Sequence, residues 1–469
     1  MKSTYYFPFC LALILLIGVQ TAHALPTRIA EDGMLLLDGK RTFIVGLYQE
    51  AKDDRFAKEA AQTGFNLIRS APTKESLDRT KAAGLQCWIP LGMLAASGDE
   101  QTAALESTVS AFKNHPALAV WEGPDEALWN AWWLRWNQAG DRWNQLEKAI
   151  QKFQGTPEQT ENGKKLEQTW KRCRESGRYE QAEECEDQIR ILLGLPAETE
   201  RLSDWVNQLD LTLKQLTRGT HTVRRTDPDH VLWFNHAPRN SLKDLTRFGA
   251  VPDIIGCDIY PVPFGPAVGH SDLAERNLPS VGQYTRRMAR SVRLKPVWMV
   301  LQGFGWDDLA STPPAVPKPR PTFKETRFMA YDAIVNSARG ILYWGTHAVP
   351  WDSQLISDIR AVVSELRDLQ PFLSAPDATD RVTLTLHPNA GSDEKGVVML
   401  AKEVDGRWAL IVVNESDQPL AFDISNLRSL NGSRIDILNE PETLTVKNGS
   451  LTYGLPPLGV SVLLGKPKE

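Results

Sequence analysis

Eight short apolar runs, most of them separated by a stretch with helical spacing, constrain the fold of this chain more than any other feature. They lie at 43–48, 65–70, 86–90, 118–122, 231–235, 253–259, 296–302 and 340–344. Between them, segments such as 53–63, 73–83 and 101–114 repeat Ala, Leu and Phe at helical intervals. No single run is decisive, but the repetition is. Eight strands alternating with helices over about this length predict a (β/α)8 TIM barrel, an α/β fold in which a closed parallel sheet is wrapped by helices.

Three regions break the rhythm. Residues 128–222 show no strand signal and are rich in Glu, Gln, Lys and Arg, with Trp129, Trp132, Trp133, Trp136 and Trp143 at intervals. They read as a helical insertion of two or three helices after the fourth strand, partly replacing the ordinary barrel helix. Its first tryptophans stand close enough to the end of that strand to wall a cleft. A proline-rich loop from Gly303 to Pro321 follows the seventh strand. From 376 onwards short alternating runs are punctuated by Gly, Asn, Asp and Pro, the texture of a small antiparallel β-sandwich. The expected organisation is a signal segment at 1–24, a barrel at 25–375 carrying the insertion, and a β-sandwich at 376–469.

The first residues have the pattern of an export signal. Lys2 precedes an apolar core from Phe7 to Ile17, and Ala22-His23-Ala24 is a small-residue cleavage site. The apolar core is short for a membrane span, and no later segment is long and apolar enough to be one. Export to the periplasm or the extracellular space is the expectation. A net charge of −5 without a basic run argues against a nucleic-acid partner, which needs clustered Lys and Arg. Four cysteines follow the signal segment. Cys173 and Cys185 flank what reads as a helical-hairpin turn and could pair if the protein is exported, while Cys87 and Cys257 sit in apolar runs as buried thiols. Cys and His show no zinc spacing, and no metal or organic cofactor is implied.

The chemistry concentrates where strands end. The fourth run, Leu118-Ala119-Val120, leads into Trp121-Glu122-Gly123-Pro124-Asp125-Glu126. Asp125 and Glu126 start out on different sides of an extended chain and can hold different protonation states if their surroundings differ. Acid-catalysed cleavage of a glycosidic bond needs that. A helix start would also explain them, with Asp125 as its N-cap and Glu126 favoured by the dipole. The other strand ends offer Glu50, Arg69, Asn235 with His236, Asp258 with Tyr260, Gln302 with Trp306, and Trp344 with His347. Carboxylates, amides, an Arg, His and aromatic faces are what gripping sugar hydroxyls and stacking on a pyranose ring require. Fifteen tryptophans are many for this length; they serve either sugar stacking or plain core packing.

In this order the motifs resemble those of the large retaining (β/α)8 glycoside hydrolase clan. Trp121 to Glu126 is similar to its strand-four motif, with Asp125 where an Asn is usual and Glu126 as the implied acid/base. Gly256-Cys257-Asp258-Ile259-Tyr260-Pro261 is similar to its strand-six segment, Lys295-Pro296-Val297-Trp298 to the approach to its strand-seven nucleophile, and Ala338 to Trp344 to its last strand, whose Trp floors the subsite. The resemblance implies a carbohydrate substrate. Gln302 departs from it, standing where the nucleophilic Glu belongs, and an amide cannot form the covalent glycosyl intermediate. Three readings stay open. A second carboxylate comes from elsewhere, Asp258 before Glu50; the substrate's own acetamido group attacks, as in hexosaminidases with an Asp-Glu pair; or the site is a non-catalytic carbohydrate binder. The expectation is an exported glycosidase with Glu126, Asp125 and Asp258 as catalytic residues. Glu50, Arg69, His236, Tyr260, Gln302, Trp306, Trp344 and His347 are its expected substrate-binding residues.

Overall fold

The computed structural model describes residues 26–467 apart from 93–98, 176–177, 200, 202–203, 239, 264–276, 313–314, 317 and 389–395, and leaves the side chains of 132–139, 175, 179 and 204–207 undescribed. The expected signal segment lies outside the described residues. Among them, no helix is long and apolar enough to cross a membrane.

The chain opens with a three-stranded antiparallel sheet that the sequence did not announce: β1 (Thr27–Ile29), β2 (Leu35–Leu37) and β3 (Lys40–Thr42). The Thr27 hydroxyl donates to the Ala119 carbonyl at 3.0 Å and accepts from the Val231 amide, which seats this sheet at the amino-terminal ends of two barrel strands. Next come β4 (Ile44–Leu47), α1 (Asp54–Thr63), β5 (Leu67–Arg69), α2 (Lys74–Ala82), β6 (Gln86–Pro90), α3 (Asp99–Phe112) and β7 (Leu118–Glu122). The insertion follows as α4 (Ala127–Lys152), α5 (Pro157–Glu175), α6 (Tyr179–Leu193) and α7 (Asp204–Thr226). It holds four helices rather than two or three. The last of them, α7, packs on α3 as an ordinary barrel helix would. The barrel then resumes with β8 (Val231–His236), α8 (Leu242–Gly249), β9 (Ile254–Ile259), α9 (Ser280–Ser291), β10 (Val297–Gln302), α10 (Phe323–Val335), β11 (Ala338–Trp344), α11 (Gln354–Asp368) and α12 (Gln370–Leu373). The strands β4 to β11 are all parallel and close into a barrel, with β11 pairing back onto β4 through Gly340 opposite Ile44. The eight expected runs are its eight strands.

The barrel interior explains part of the tryptophan count. Trp88, Trp233 and Trp298 are buried and pack against one another at 5.8–6.0 Å between ring centroids. Bulky rings fit there because facing strands carry glycine. A methyl on Gly256 would meet Trp233 at 2.6 Å, and one on Gly340 would meet Trp298 at 2.8 Å. These rings form a dry floor beneath the carboxyl ends of the strands. Trp143 and Trp170 make a separate small core inside the insertion, together with Cys173. No disulfide joins Cys173 to Cys185, so the pairing that their spacing suggested is not formed.

The C-terminal strands are β12 (Thr383–Leu386), β13 (Val397–Val404), β14 (Arg407–Asn414), β15 (Leu420–Ser425), β16 (Arg434–Ile437), β17 (Thr443–Thr445), β18 (Leu451–Leu455) and β19 (Val460–Gly465). They form two antiparallel sheets, β12-β15-β18 and β13-β14-β19-β16-β17, in a sandwich-like arrangement. Ala409, Ile411 and Val413 of β14 belong to the same continuous apolar core as the barrel.

Candidate active site

The β7–α4 junction is built tightly. The Gly123 amide donates to the Trp233 carbonyl at 3.0 Å and the Glu126 amide to the Asn235 carbonyl at 3.1 Å, so the chain stays tied to β8 beyond the end of the strand. A side chain at Gly123 is impossible without movement, since its Cβ would lie 1.9 Å from Phe234. Glu126 occupies the N-cap position of α4 in the left-handed region (φ 49°, ψ 34°) and makes no side-chain capping bond. Glu126 rather than Asp125 thus stands at the helix start, and its carboxyl group caps no helix amide. A non-glycine residue held at positive φ costs energy, and such strain is typical of functional positions.

Four carboxyl groups meet around this junction. Glu122, the last residue of β7, is buried; its two oxygens accept from the Tyr48 hydroxyl and, at 3.1 Å, from the Trp88 indole. Burial and the neighbouring Asp125 push its carboxyl up to about 8, against the pull of both hydrogen bonds and Arg69. Asp125 keeps access to solvent; its Oδ1 accepts from Asn235 Nδ2 at 3.0 Å, and Tyr48 lies within hydrogen-bonding reach. Its pKa is raised by burial among its neighbours and restrained by those two donors. Burial and Asp125 push Glu126 up to about 7, and its side chain is hydrogen-bonded to Asp258. Asp258 is buried at the end of β9 and is held well above the usual carboxylate range by that burial and by Glu126. Asp258 therefore holds its proton more firmly than an ordinary carboxyl group. Asn235 ties the group together, since its Nδ2 also faces Asp258 Oδ1 at 3.4 Å.

Two of these groups, Glu122 and Asp125, border an open cavity of about 480 Å³ at the carboxyl ends of the strands; Glu126 and Asp258 do not line it. Five of the expected residues line it: Glu50, Arg69, Asp125, Trp344 and His347. Glu50 is held by the Ser76 hydroxyl at 2.6 Å. The Trp344 ring stacks on Tyr260 at 5.4 Å and 20°, and Phe304 meets both rings edge-on, so Tyr260 backs the wall that Trp344 presents. Trp306 packs behind them, 6.3 Å from Tyr260.

Besides Glu126, Asp258 and the rings of Tyr260 and Trp306 behind the wall, two further expected residues do not line the cavity. His236 alternates with Asn235 along β8, is buried, and is pushed down to about 4 by desolvation; it does not line the cavity. Gln302 is wholly buried. Its Oε1 accepts from the Val262 amide at 2.8 Å, and its Nε2 donates to the carbonyls of Val262 and Phe304. The side chain clamps two loops and offers nothing to the cavity. Trp132, Trp133 and Trp136, expected to wall the cleft, have side chains outside the described residues.

Tyr48, Glu122 and Asn235 are members to which the sequence assigned no role, although Tyr48 and Asn235 stand at strand ends. A signal for Glu122 existed: it is the one charged residue in Leu118–Glu122 and shares the parity of Val120. Its strand-end position marks Tyr48 as a barrel-mouth residue, but nothing local tells that it reaches Glu122 from three strands away.

No family model matches the chain, and no curated protein does either. Solved structures do resemble it in shape. One described as a glycoside hydrolase superposes with a TM-score of 0.53 at 12% identity, covering 94% of this chain and 97% of the other. A glycoside hydrolase family 5 protein from Bacteroides vulgatus gives 0.53 at 11% identity, over 94% of each chain. A β-galactosidase from Bacillus circulans sp. alkalophilus gives 0.51 at 10% identity, over 90% of this chain and 99% of its own. At such identities the likeness establishes the fold: this chain has a glycosidase-like (β/α)8 barrel with a C-terminal β-sandwich.

Proposed function

We propose that the protein is an exported glycosidase in which Glu126 is the general acid. The observation that carries this is the pairing of unlike carboxyl groups beside the cavity, Asp125 on its wall and Glu126 next to it in the chain. Glu126 holds its proton up to about pH 7, while Asp125, solvent-accessible and bonded by Asn235, is the group better able to ionise beside it. The protonated carboxyl donates to the leaving oxygen, and the carboxylate stabilises the positive charge that develops on the sugar. Trp344 supplies the stacking face, with Arg69, Glu50 and His347 as hydroxyl partners.

Asp258 acts on Glu126 in this reading. The two carboxyl groups interact directly, each shifting the other's pKa, rather than standing apart as the nucleophile–acid or water-admitting pairs of known mechanisms do. With Gln302 spent on backbone, attack falls to water or to an acetamido group on the substrate, oriented by Asp125. The test is sugar release from a glycan panel that includes N-acetylhexosaminides, comparing the mature protein with Glu126→Gln and Asp125→Asn. Loss of release in Glu126→Gln by about 10²–10⁴-fold places the acid. Loss in Asp125→Asn confined to N-acetylated substrates identifies internal attack. Glycan binding without release from any substrate would replace the enzyme by a carbohydrate-binding protein.

A further inference from the structure

A second cavity, of about 590 Å³, lies at one end of the larger C-terminal sheet, far in sequence from the carboxyl cluster. The antiparallel order β14-β19-β16 brings the start of β14, the end of β19 and the start of β16 to the same edge. Each of these ends carries a cation on the cavity wall: Arg407, Lys466 and Arg434. Neighbouring strands stand only about 4.8 Å apart, and like charges side by side are unfavourable. Asp436 is the single carboxylate on the wall, and its ion pair with Arg434 is long, at 3.8 Å, and exposed. Arg407 and Lys466 have no carboxylate partner among the described residues; Arg407 lies over the Phe372 ring, 5.6 Å from its centroid.

Two buried lining residues add to the imbalance. Trp408 and Ser433 are 3% and 4% exposed, and neither the Trp408 indole nitrogen nor the Ser433 hydroxyl has a hydrogen-bond partner. An indole N–H can only donate. The wall thus holds an excess of positive charge, with two buried polar atoms behind it that lack partners, in a volume suited to a small ligand.

We infer that this groove binds the acidic unit, carboxylate- or sulfate-bearing, of a saccharide. The anionic character rests on the groove alone, whereas the saccharide part rests on the glycosidase reading. Such a site would hold an acidic glycan on the sandwich while the barrel works on the same chain.

Isothermal titration of the whole mature chain tests this with a uronate trisaccharide, a neutral trisaccharide and sodium sulfate, each at low and at physiological salt. Trp344→Ala serves as the background, to remove binding at the barrel. The uronate trisaccharide is expected to bind, more weakly as salt rises, and to lose at least tenfold in affinity in Arg407→Ala/Lys466→Ala. Arg434→Ala alone is a milder variant whose loss must run in the same direction. Equal binding of the neutral sugar, unchanged affinity in the cation variants, or no binding at all would overturn the site. Sulfate binding as tightly as the uronate would overturn the saccharide part. Uronate binding that depends on Arg407 and Lys466, in a protein that releases no sugar, would sink the glycosidase reading and leave the groove standing.

Discussion

Glu126 is the residue on which most depends, and its pKa makes two statements at once. As an acid it must be protonated, so activity is expected to fall as pH rises past about 7. On the acid side, activity falls as Asp125 gains a proton, giving a bell-shaped kcat profile. Its folded pKa lies above the ordinary carboxyl value, so its contribution to stability is full below that ordinary value and is lost as pH rises towards 7. Glu126→Gln removes the ionisable group and with it this penalty. Thermal denaturation should then show a mutant that is more stable than the parent at pH 8, with a gap that closes near pH 4, although its activity is lost. Equal stability at both pH values would mean that Glu126 is not perturbed. A site that costs stability and gains it back when disabled is the usual signature of residues held for chemistry.

Elements set how these side chains meet. The β7–α4 junction passes so close to β8 that only hydrogen fits at Gly123. Gly123→Ala is expected to destabilise the fold by roughly 1–3 kcal/mol, the range for overpacking, and to lower kcat by moving Asp125 and Glu126 off β8. A urea midpoint and a rate measured on the same sample check both. At the end of β10, Gln302 uses its amide as a bracket between Val262 and Phe304. Gln302→Glu restores the side chain that the resemblance leads one to expect, yet a carboxylate there faces two backbone carbonyls with no proton to give. It should lose about 1–3 kcal/mol of stability for the unmatched groups and gain no covalent glycosyl intermediate by mass spectrometry. Trapping such an intermediate would reverse the assignment of Gln302.

Across the whole molecule, barrel and sandwich are joined by more than apolar contact. The Arg286 side chain on α9 reaches buried Glu415, just beyond β14, with Nη1 at 2.7 Å and Nη2 at 3.3 Å from its oxygens. Asn336 bridges Glu415 and Asp332 at 3.0 Å to each, and Asp332 is held well above the usual carboxylate range by burial and by Glu415. Exposed ion pairs such as Lys165–Glu161 contribute at most about 1 kcal/mol. Removing one partner of a buried pair leaves a charge uncompensated and costs about 3–5 kcal/mol. Arg286→Ala should therefore lower the calorimetric midpoint by several degrees while keeping one transition, because a single apolar core runs through both parts. Two separate transitions would show that this cluster, rather than the core, couples them.

The sequence by itself determined the architecture. Its eight apolar runs alternate with helical segments, and that periodicity follows from local burial, which each segment carries in its own composition. It also marked Asp125, Glu126 and Asp258, because acids that close apolar strands are visible without knowing their neighbours. It missed β18, where Tyr453 and Gly454 blur the alternation, and the opening sheet of three-residue strands, whose signals are too short to read. Only the tertiary structure decided what those acids are. Glu126 and Glu122 are raised because the fold buries them beside Asp125, while Asp258, more than a hundred residues on, pulls Glu126 back and Tyr48 and Trp88 pull Glu122 back. Likewise, nothing in the order of residues tells whether Gln302 faces a ligand or a backbone carbonyl, or that Arg407, Arg434 and Lys466 share an edge. A pKa, a cavity and a charge imbalance are sums over neighbours in space, and chain order fixes those neighbours only through the fold.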